Sequence, residues 1–343
     1  MDVSVAQFQD LSCVVHLHST HSDGTGTVEE IAAAGRAVGL DVILLTDHDT
    51  LAARDRREDG WQGSVLVLVG EEVSPKDQNH YLAFGLDRVI DHTGMTPADI
   101  AAAVRDAGGF GFAAHPFSRG NPKFGRAAKA MPWGDLECVD GIELWNMVGD
   151  SGEQFGSWGD AVRFLRRPER WMPDLPQHNL DEWDRLGALR RVPVIGGLDA
   201  HQVGKRIAGH VPLRLMSYRR SFRLLTMHVL VPELLTGDLE RDRSMVFDAL
   251  RAGRSYIARD WIAPARGFSF THMGEETSDR PLLEVRLPRP ASVRLLRDGA
   301  VVASAEDAAE LDFQPSEPGV YRVEARIGGR IWILSNAVYL RAS

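Results

Sequence analysis

The side chains best suited to chemistry in this 343-residue chain are imidazoles and carboxylates in short, repeated spacings. His16-Leu17-His18 comes first, followed at once by Ser22-Asp23-Gly24. Thr46-Asp47-His48-Asp49, Gly70-Glu71-Glu72, His80, Ala114-His115-Pro116 and Gly197-Leu198-Asp199-Ala200-His201 follow. Each fragment ends or follows a short apolar run that reads as a β-strand. Groups at successive strand ends converge on one rim of a barrel, and a multinuclear metal site is built that way. His16 and His18, one residue apart on a strand, project to the same face and can hold one ion. Asp199-Ala200-His201 repeats that spacing. Six of the twelve histidines lie at or just beyond strand ends.

A carboxylate that bridges two ions screens both. Glu72, directly after the run 65–69, is placed for that, and alternation sends its neighbour Glu71 to the opposite face. Asp23 offers a hard oxygen to an ion that His48 and His201 also approach. The mixed N/O set suits Zn²⁺, Mn²⁺ or Fe²⁺, and suits neither Ca²⁺ nor a thiolate-bound structural zinc. Two ions about 3.5–4 Å apart can hold a hydroxide nucleophile and stabilise a leaving oxygen together. The other hydrolytic schemes lack their residues: there is no Gly-x-Ser-x-Gly elbow, no phosphate-binding Gly-x-x-x-x-Gly-Lys loop and no His-Glu-x-x-His.

The elements that must position these groups alternate. Strands are expected at 11–17, 42–46, 65–69, 81–85, 110–114, 141–144 and 192–195. Helices between them include one opened by the capping box Thr27/Glu30 and closed by Gly39, one at 96–107 and one at 180–190. This order predicts a parallel sheet closed into an α/β barrel. The stretches 117–140 and 146–178, rich in Gly, Pro, Trp and Arg, are long for barrel loops and read as a lid or insertion over the rim. A helix at 244–251 and a strand at 255–258 follow. Beyond about residue 261, strands are expected at 282–287, 293–297, 319–327 and 331–340, with turns at Asp298-Gly299 and Gly328-Gly329. That tail reads as a small antiparallel β-sandwich. The domain expectation is therefore 1–262 for the barrel, with rim insertions about 117–180, and 263–343 for the sandwich.

Composition is ordinary for a globular chain, with 44% hydrophobic and 25% charged residues. The net charge of −9 and the lack of a basic run exclude a non-specific nucleic-acid or anionic-membrane partner. A small anionic substrate stays open, because bound cations reverse the local field. The first ten residues lack signal-peptide character, no apolar stretch approaches the roughly 18 residues of a span, and Cys13 and Cys138 read as small apolar fillers. A cytoplasmic location is expected.

Together these motifs resemble the PHP (polymerase and histidinol phosphatase) metallohydrolase superfamily, in family order over about residues 12–201. Gly141-Ile142-Glu143-Leu144-Trp145-Asn146 and tail segments such as Gly253-Arg254-Ser255-Tyr256 and Trp332-Ile333-Leu334-Ser335-Asn336 resemble its carbaryl-hydrolase-type branch. The resemblance implies a distorted seven-stranded (β/α)7 barrel with two or three divalent ions (Zn, Mn or Fe) at its C-terminal rim. It implies His16, His18, Glu72 and Asp199 around one ion, Glu72, His80 and His115 around a second, and Asp23, His48 and His201 around a third. Asp47 would orient an imidazole. Glu72, Asp199 and His201 are the catalytic candidates.

The expected activity is that of a metal-dependent hydrolase, first a phosphoesterase acting on a small phosphate ester through a metal-bound hydroxide. A carbamate or carboxylic ester hydrolase is the second reading and a non-catalytic binding module the third. No membrane partner is expected, and nucleic acid only as short fragments or nucleotides. A sandwich edge offers a route to a homo-oligomer. Among the remaining candidates, His21 reads as a pocket wall sooner than a ligand, His178, His210 and His228 fall in loops near the rim where substrate contact is the minor reading, and His92 and His272 read as solvated. Arg119, Lys123, Arg126, Lys205 and Arg206 flank rim motifs and can grip a phosphate, although each taken singly reads first as solvated surface charge. Trp145, Trp158, Trp171 and Trp183 can wall an aryl pocket, although most of them read as core.

Overall fold

The computed structural model describes residues 8–76, 80–123, 133–202 and 216–342. The first strands are β1 (Gln9–Val15), β2 (Val42–His48), β3 (Gly60–Gln62), β4 (Val65–Val73) and β5 (Tyr81–Phe84). They are followed by β6 (Phe110–Ala113), β7 (Gly141–Asn146), β8 (Val194–Gly197), β9 (Thr226–Val231) and β10 (Ser255–Ala258). The tail adds β11 (Ser269–Phe270), β12 (Glu276–Thr277), β13 (Leu283–Arg297), β14 (Ala300–Phe313), β15 (Gly319–Ile327), β16 (Arg330–Ser335) and β17 (Val338–Leu340).

The result is a mixed α/β fold. β1–β2, β2–β4, β6–β7 and β7–β8 pair parallel, as the α/β alternation predicts. Two features depart from the expected closed parallel barrel. β5 runs antiparallel to both β4 and β6. β9 runs antiparallel along β1, from Gln9 opposite Val231 to Cys13 opposite Met227. That edge of β1 is therefore taken, and the ladder does not close between β8 and β1. The seam is spanned by one parallel bridge, Leu17 to Ala200, with Leu198 N–H donating to Val15 O at 3.0 Å.

Local signals hold where their chemistry is short-range. Thr27 caps the helix Val28–Arg36, its hydroxyl accepting from Glu30 N–H (3.2 Å) while Glu30 accepts from Thr27 N–H (3.0 Å). Thr96 and Asp99 repeat the arrangement for Pro97–Asp106. The expected helix at 244–251 begins earlier, at Leu239, where Asp238 accepts from Arg241 N–H. The 146–178 stretch contains helices Met147–Glu153, Trp158–Arg166 and Pro168–Trp171.

In the tail the expected strands at 282–287 and 293–297 are one strand, β13, and its partner β14 was not anticipated. β14 is rich in Ala, Glu and Asp, residues with little strand propensity, and the ladder to β13 imposes its conformation. The hairpin turns are as expected: Asp298-Gly299 and Gly328-Gly329 have positive φ at both positions, matching the twist of the flanking strands. The tail strands bury a second apolar core around Val285, Val293, Leu295, Val323 and Trp332. They remain hydrogen-bonded to the first sheet through β10–β16. Among the described residues, no helix is long and apolar enough to cross a membrane.

His228, expected in a rim loop, lies instead within β9 opposite Ser12, at the end of β1 away from the histidine motif. It is buried between Asp10 (Nδ1–Oδ1 2.6 Å) and Asp260 (Nε2–Oδ2 3.0 Å) and stacks on Tyr256 at 4.6 Å. Burial disfavours its charge, but the two carboxylates outweigh that and push it up to about 9. The two aspartates are held below their usual range by the same contacts. The histidine's contribution to stability is thus complete below pH ~6.5 and is lost as pH rises through about 9; the aspartates' contribution is lost at acid pH. His228→Gln should cost about 3 kcal/mol at pH 6. In denaturant titrations across pH 6 to 9.5, the gap between variant and wild type should shrink toward the alkaline end; a constant gap would contradict a charged His228.

Candidate metal centre

Eight of the nine expected ligand residues sit at or within a few residues of the start or end of a strand, and Asp23 lies in the turn before the helix Val28–Arg36. Register sets the first pair: β2 and β4 align His48, the final residue of β2, with Glu72, the penultimate residue of β4. His16 and His18 follow β1, His80 precedes β5, His115 follows β6, and Asp199 and His201 follow β8. His16 is already past the strand, so alternation along a strand does not explain why it shares a face with His18. A turn with φ of 62° at His16 does. His115 and Asp199 also have positive φ, 32° and 51°. Such backbone costs non-glycine residues about 1 kcal/mol or more each and collects at functional sites.

Glu72, 1% exposed, is the hub. Its Oε2 lies 3.2 Å from His16 Nε2, 3.2 Å from His18 Nε2 and 3.2 Å from His48 Nδ1. Its Oε1 lies 2.8 Å from His80 Nδ1 and 3.4 Å from His115 Nε2. Asp199 Oδ1 approaches His16 Nε2 (3.5 Å) and His18 Nε2 (3.4 Å). Asp23, more exposed, brings Oδ1 to 3.1 Å from His201 Nε2 and 3.7 Å from His48 Nε2. Among the described residues, donor atoms within 4.8 Å of one another fall into four overlapping sets: His16/His18/Glu72, His16/His115/Asp199, His48/Glu72/His80 and His18/Asp23/His48/His201. His18 thus belongs to two sets, with Nε2 toward Glu72 and Nδ1 4.0 Å from Asp23.

The donor set fits divalent cations. His16 Nε2, both ring nitrogens of His18 and Glu72 Oε2 are buried without a hydrogen-bond partner. Leaving such atoms unsatisfied costs about 1–3 kcal/mol each. Tautomers are prepared for ligation. His16 Nδ1 donates to Glu143 Oε1 (2.7 Å), and His201 Nδ1 donates to Asp199 O (3.0 Å). His48 Nδ1 faces Ser74 Oγ (2.7 Å), whose hydroxyl is spent on Glu72 O (2.8 Å). Each leaves Nε2 with a free lone pair.

Charges follow the same logic. Burial opposes ionisation of Glu72, but the close approach of the His16, His115 and His18 rings holds its carboxyl well below the usual range. Burial likewise opposes a charged His18, yet Asp199 and Glu72 push it up to about 9. A buried carboxylate requires positive charge close by, whether protons or metal ions supply it.

Glu71 points to the other face, as alternation requires, and accepts from Ile90 N–H at 3.1 Å. Burial pushes its carboxyl up to about 7. Asp47 does not orient an imidazole. It accepts from Ser19 N–H (2.7 Å), Ser19 Oγ (2.7 Å) and Ser22 Oγ (2.6 Å), stapling the loop that carries Asp23. The orienting carboxylate is Glu143 on β7. One oxygen takes His16 Nδ1; the other accepts from His115 N–H (2.6 Å) and Asn146 Nδ2 (3.0 Å). Gly197 must lack a side chain, since a Cβ there would lie 1.7 Å from Glu143 Oε1. The signal for Glu143 was a single charge inside the otherwise uncharged strand Gly141–Asn146.

Other candidates lie elsewhere. His21 pairs with Glu58 (2.6 Å), His92 with Asp49 (3.2 Å) and His272 with Glu275 (2.8 Å). His178 packs edge-on against Phe117, 6.5 Å between ring centroids. Lys123 Nζ donates to Gly156 O (2.5 Å), and the Arg119 backbone N–H to Glu153. Arg126, Lys205, Arg206 and His210 fall outside the described residues. Trp145 and Trp183 are core residues, whereas Trp158 and Trp171 are exposed. Cys13 is buried and Cys138 only partly so, and neither forms a disulfide.

No protein-family model matches the chain. Over 79 residues it is 35% identical to the phosphoribosyl 1,2-cyclic phosphate 1,2-diphosphodiesterase of Eggerthella lenta, a match covering 21% of this chain and 30% of that enzyme. A solved two-domain protein from Bacteroides vulgatus, described as containing a "predicted PHP-like metal-dependent phosphoesterase", superposes with TM-score 0.44 at 16% identity, over 96% of this chain and 95% of that one. An amidohydrolase from Chromobacterium violaceum superposes with TM-score 0.33 at 16% identity, over 55% of this chain and 87% of the other. Superpositions this loose do not establish a shared activity.

Proposed function

We propose that this chain is an enzyme, a metal-dependent hydrolase whose first substrate class is a small phosphate ester. The observation that carries the reading is Glu72. Its two oxygens face different imidazole groups, and two of the facing nitrogens, His16 Nε2 and His18 Nε2, are buried and unpartnered. Residues that would hold the ions are His16, His18, Glu72, Asp199, His80, His115, His48, His201 and Asp23. Divalent ions bound there supply Lewis acidity toward a phosphoryl or carbonyl oxygen and lower the pKa of water toward neutrality.

The chain's own groups do the rest. Glu143 fixes the His16 ring and the His115 backbone, so the lone pairs of both sides of the hub keep their direction. Asp23 stands at the solvent side with His201 Nε2 beside it, so this edge of the ligand set is the one that faces incoming substrate. The 79-residue likeness to a diphosphodiesterase supports a phosphorus centre as the first choice. A carbamate or carboxylic ester is the alternative class, separated by its products.

The deciding experiment is metal content by elemental mass spectrometry on the same sample assayed with p-nitrophenyl phosphate, bis-p-nitrophenyl phosphate and an aryl carbamate. Two or three ions per chain with phosphate-ester turnover is expected; turnover of the carbamate alone moves the reading to the second class, and an ion-free, inert protein overturns it. Glu72→Gln should lose bound metal and reduce turnover by more than ~100-fold, beyond the range of a merely orienting residue. Glu143→Gln should keep the fold and lower metal affinity or turnover by ~10–100-fold. Unchanged metal binding in Glu143→Gln would remove its orienting role.

A further inference from the structure

We infer that the face opposite the metal centre carries a binding groove for a small multivalent anion of the pyrophosphate type. The groove lies where the chain enters β6, β7 and β8, whereas His115, Glu143 and Asp199 lie at or toward the exits of those strands. Its volume is about 610 Å³, within the range of small-ligand sites. A second depression of about 410 Å³ shares Arg190 and Arg191 with it.

The charge of the groove is uncompensated. Its two acidic residues are already paired, Asp140 with Arg105 (3.1 Å) and Glu137 with Arg185 (3.6 Å). Arg190, Arg191 and Arg251 also line it, and among the described residues none of the three has a carboxylate within 4.0 Å. Arg190 is pinned by carbonyls instead, donating to Leu136 O (2.9 Å) and Arg191 O (3.0 Å), and so forms a cationic floor. Arg191 makes one described hydrogen bond, to Gly274 O at 3.2 Å. Arg251 lies 4.7 Å over the Phe110 ring and reaches Gly108 O only at 3.5 Å. Both therefore keep most of their five donors, in the planar fork that matches phosphate oxygens.

Three unpaired arginines together are unexpected on a chain with net charge −9. The same net charge selects the size of the partner. A long polyanion would run onto negative surface beyond the groove, whereas a short one stays within the roughly 8–10 Å over which the arginines act. The inference does not depend on the chemistry proposed at the other face.

The test is calorimetric titration of the metal-loaded protein with inorganic pyrophosphate, comparing wild type with the double variant Arg191→Ala/Arg251→Ala. Wild type should show a saturable step that the double variant loses or weakens at least 10-fold, with p-nitrophenyl phosphate turnover and metal content equal in both. Any binding at the metal centre is common to the two proteins and cancels. Arg163→Ala/Arg166→Ala, on an exposed helix elsewhere, should leave the step intact. Identical titrations of wild type and the groove variant would overturn the proposal, as would equal weakening by the control pair. Tight binding of a 20-nucleotide single strand in place of pyrophosphate would overturn it as well.

Discussion

A carboxylate buried to 1% exposure governs this structure. Glu72 cannot stay ionised out of water unless positive charge lies close by, and the nitrogens of five imidazoles crowd around it at 2.8–3.4 Å, where bound cations would sit. Those imidazoles come from four separate strand connections, so the carboxylate's requirement becomes a requirement on the whole sheet. The β2–β4 register must bring His48 beside Glu72. β5 must run antiparallel to deliver His80 from its beginning rather than its end. The backbone must turn sharply at His16, His115 and Asp199.

Strained strand ends persist only if the scaffold over-determines them. Glu143 does part of that by joining His16 to His115 through two oxygens of one side chain. Asp47 does another part by holding the Ser19–Ser22 turn, and hence Asp23, through three hydrogen bonds. At the far end of β1 the Asp10–His228–Asp260 cluster ties β1 and β9 to the segment after β10. The two ends of β1 thus use the same pairing of imidazole with carboxylate to different effect. At one end every nitrogen has a partner and the cluster is structural. At the other, ligand atoms are left bare.

The cluster of imidazoles and carboxylates was legible because its signal is local: imidazoles one residue apart, or a carboxylate directly after an apolar run. The capping box at Thr27, the helix opened by Pro97 and the two hairpin turns were legible for the same reason. Strand direction was not. Nothing in the tetrapeptide of β5 or the hexapeptide of β9 states which way the strand runs, and those two directions separate the observed open ladder from a closed parallel barrel. β14 was missed because its Ala/Glu-rich sequence acquires strand geometry only from β13. The exchange of Asp47 for Glu143 as the orienting carboxylate has a similar origin. Sequence proximity favours Asp47, next to His48, but contact across the sheet belongs to Glu143, 127 residues from His16.

The charge of the centre bears on its substrate. Glu72, Asp199 and Asp23 bring three negative charges, and neutral imidazoles add none. Two divalent ions would leave the rim with one positive charge and three ions with three, on a chain whose formal charge is −9. A phosphate ester gains from that local reversal, since its oxygens are anionic before reaction and more so in the transition state. A neutral carbamate gains only as charge develops. Phosphate-ester turnover should therefore show the steeper dependence on how many ions are bound, and this makes ion count, more than fold, the quantity that separates the two substrate classes.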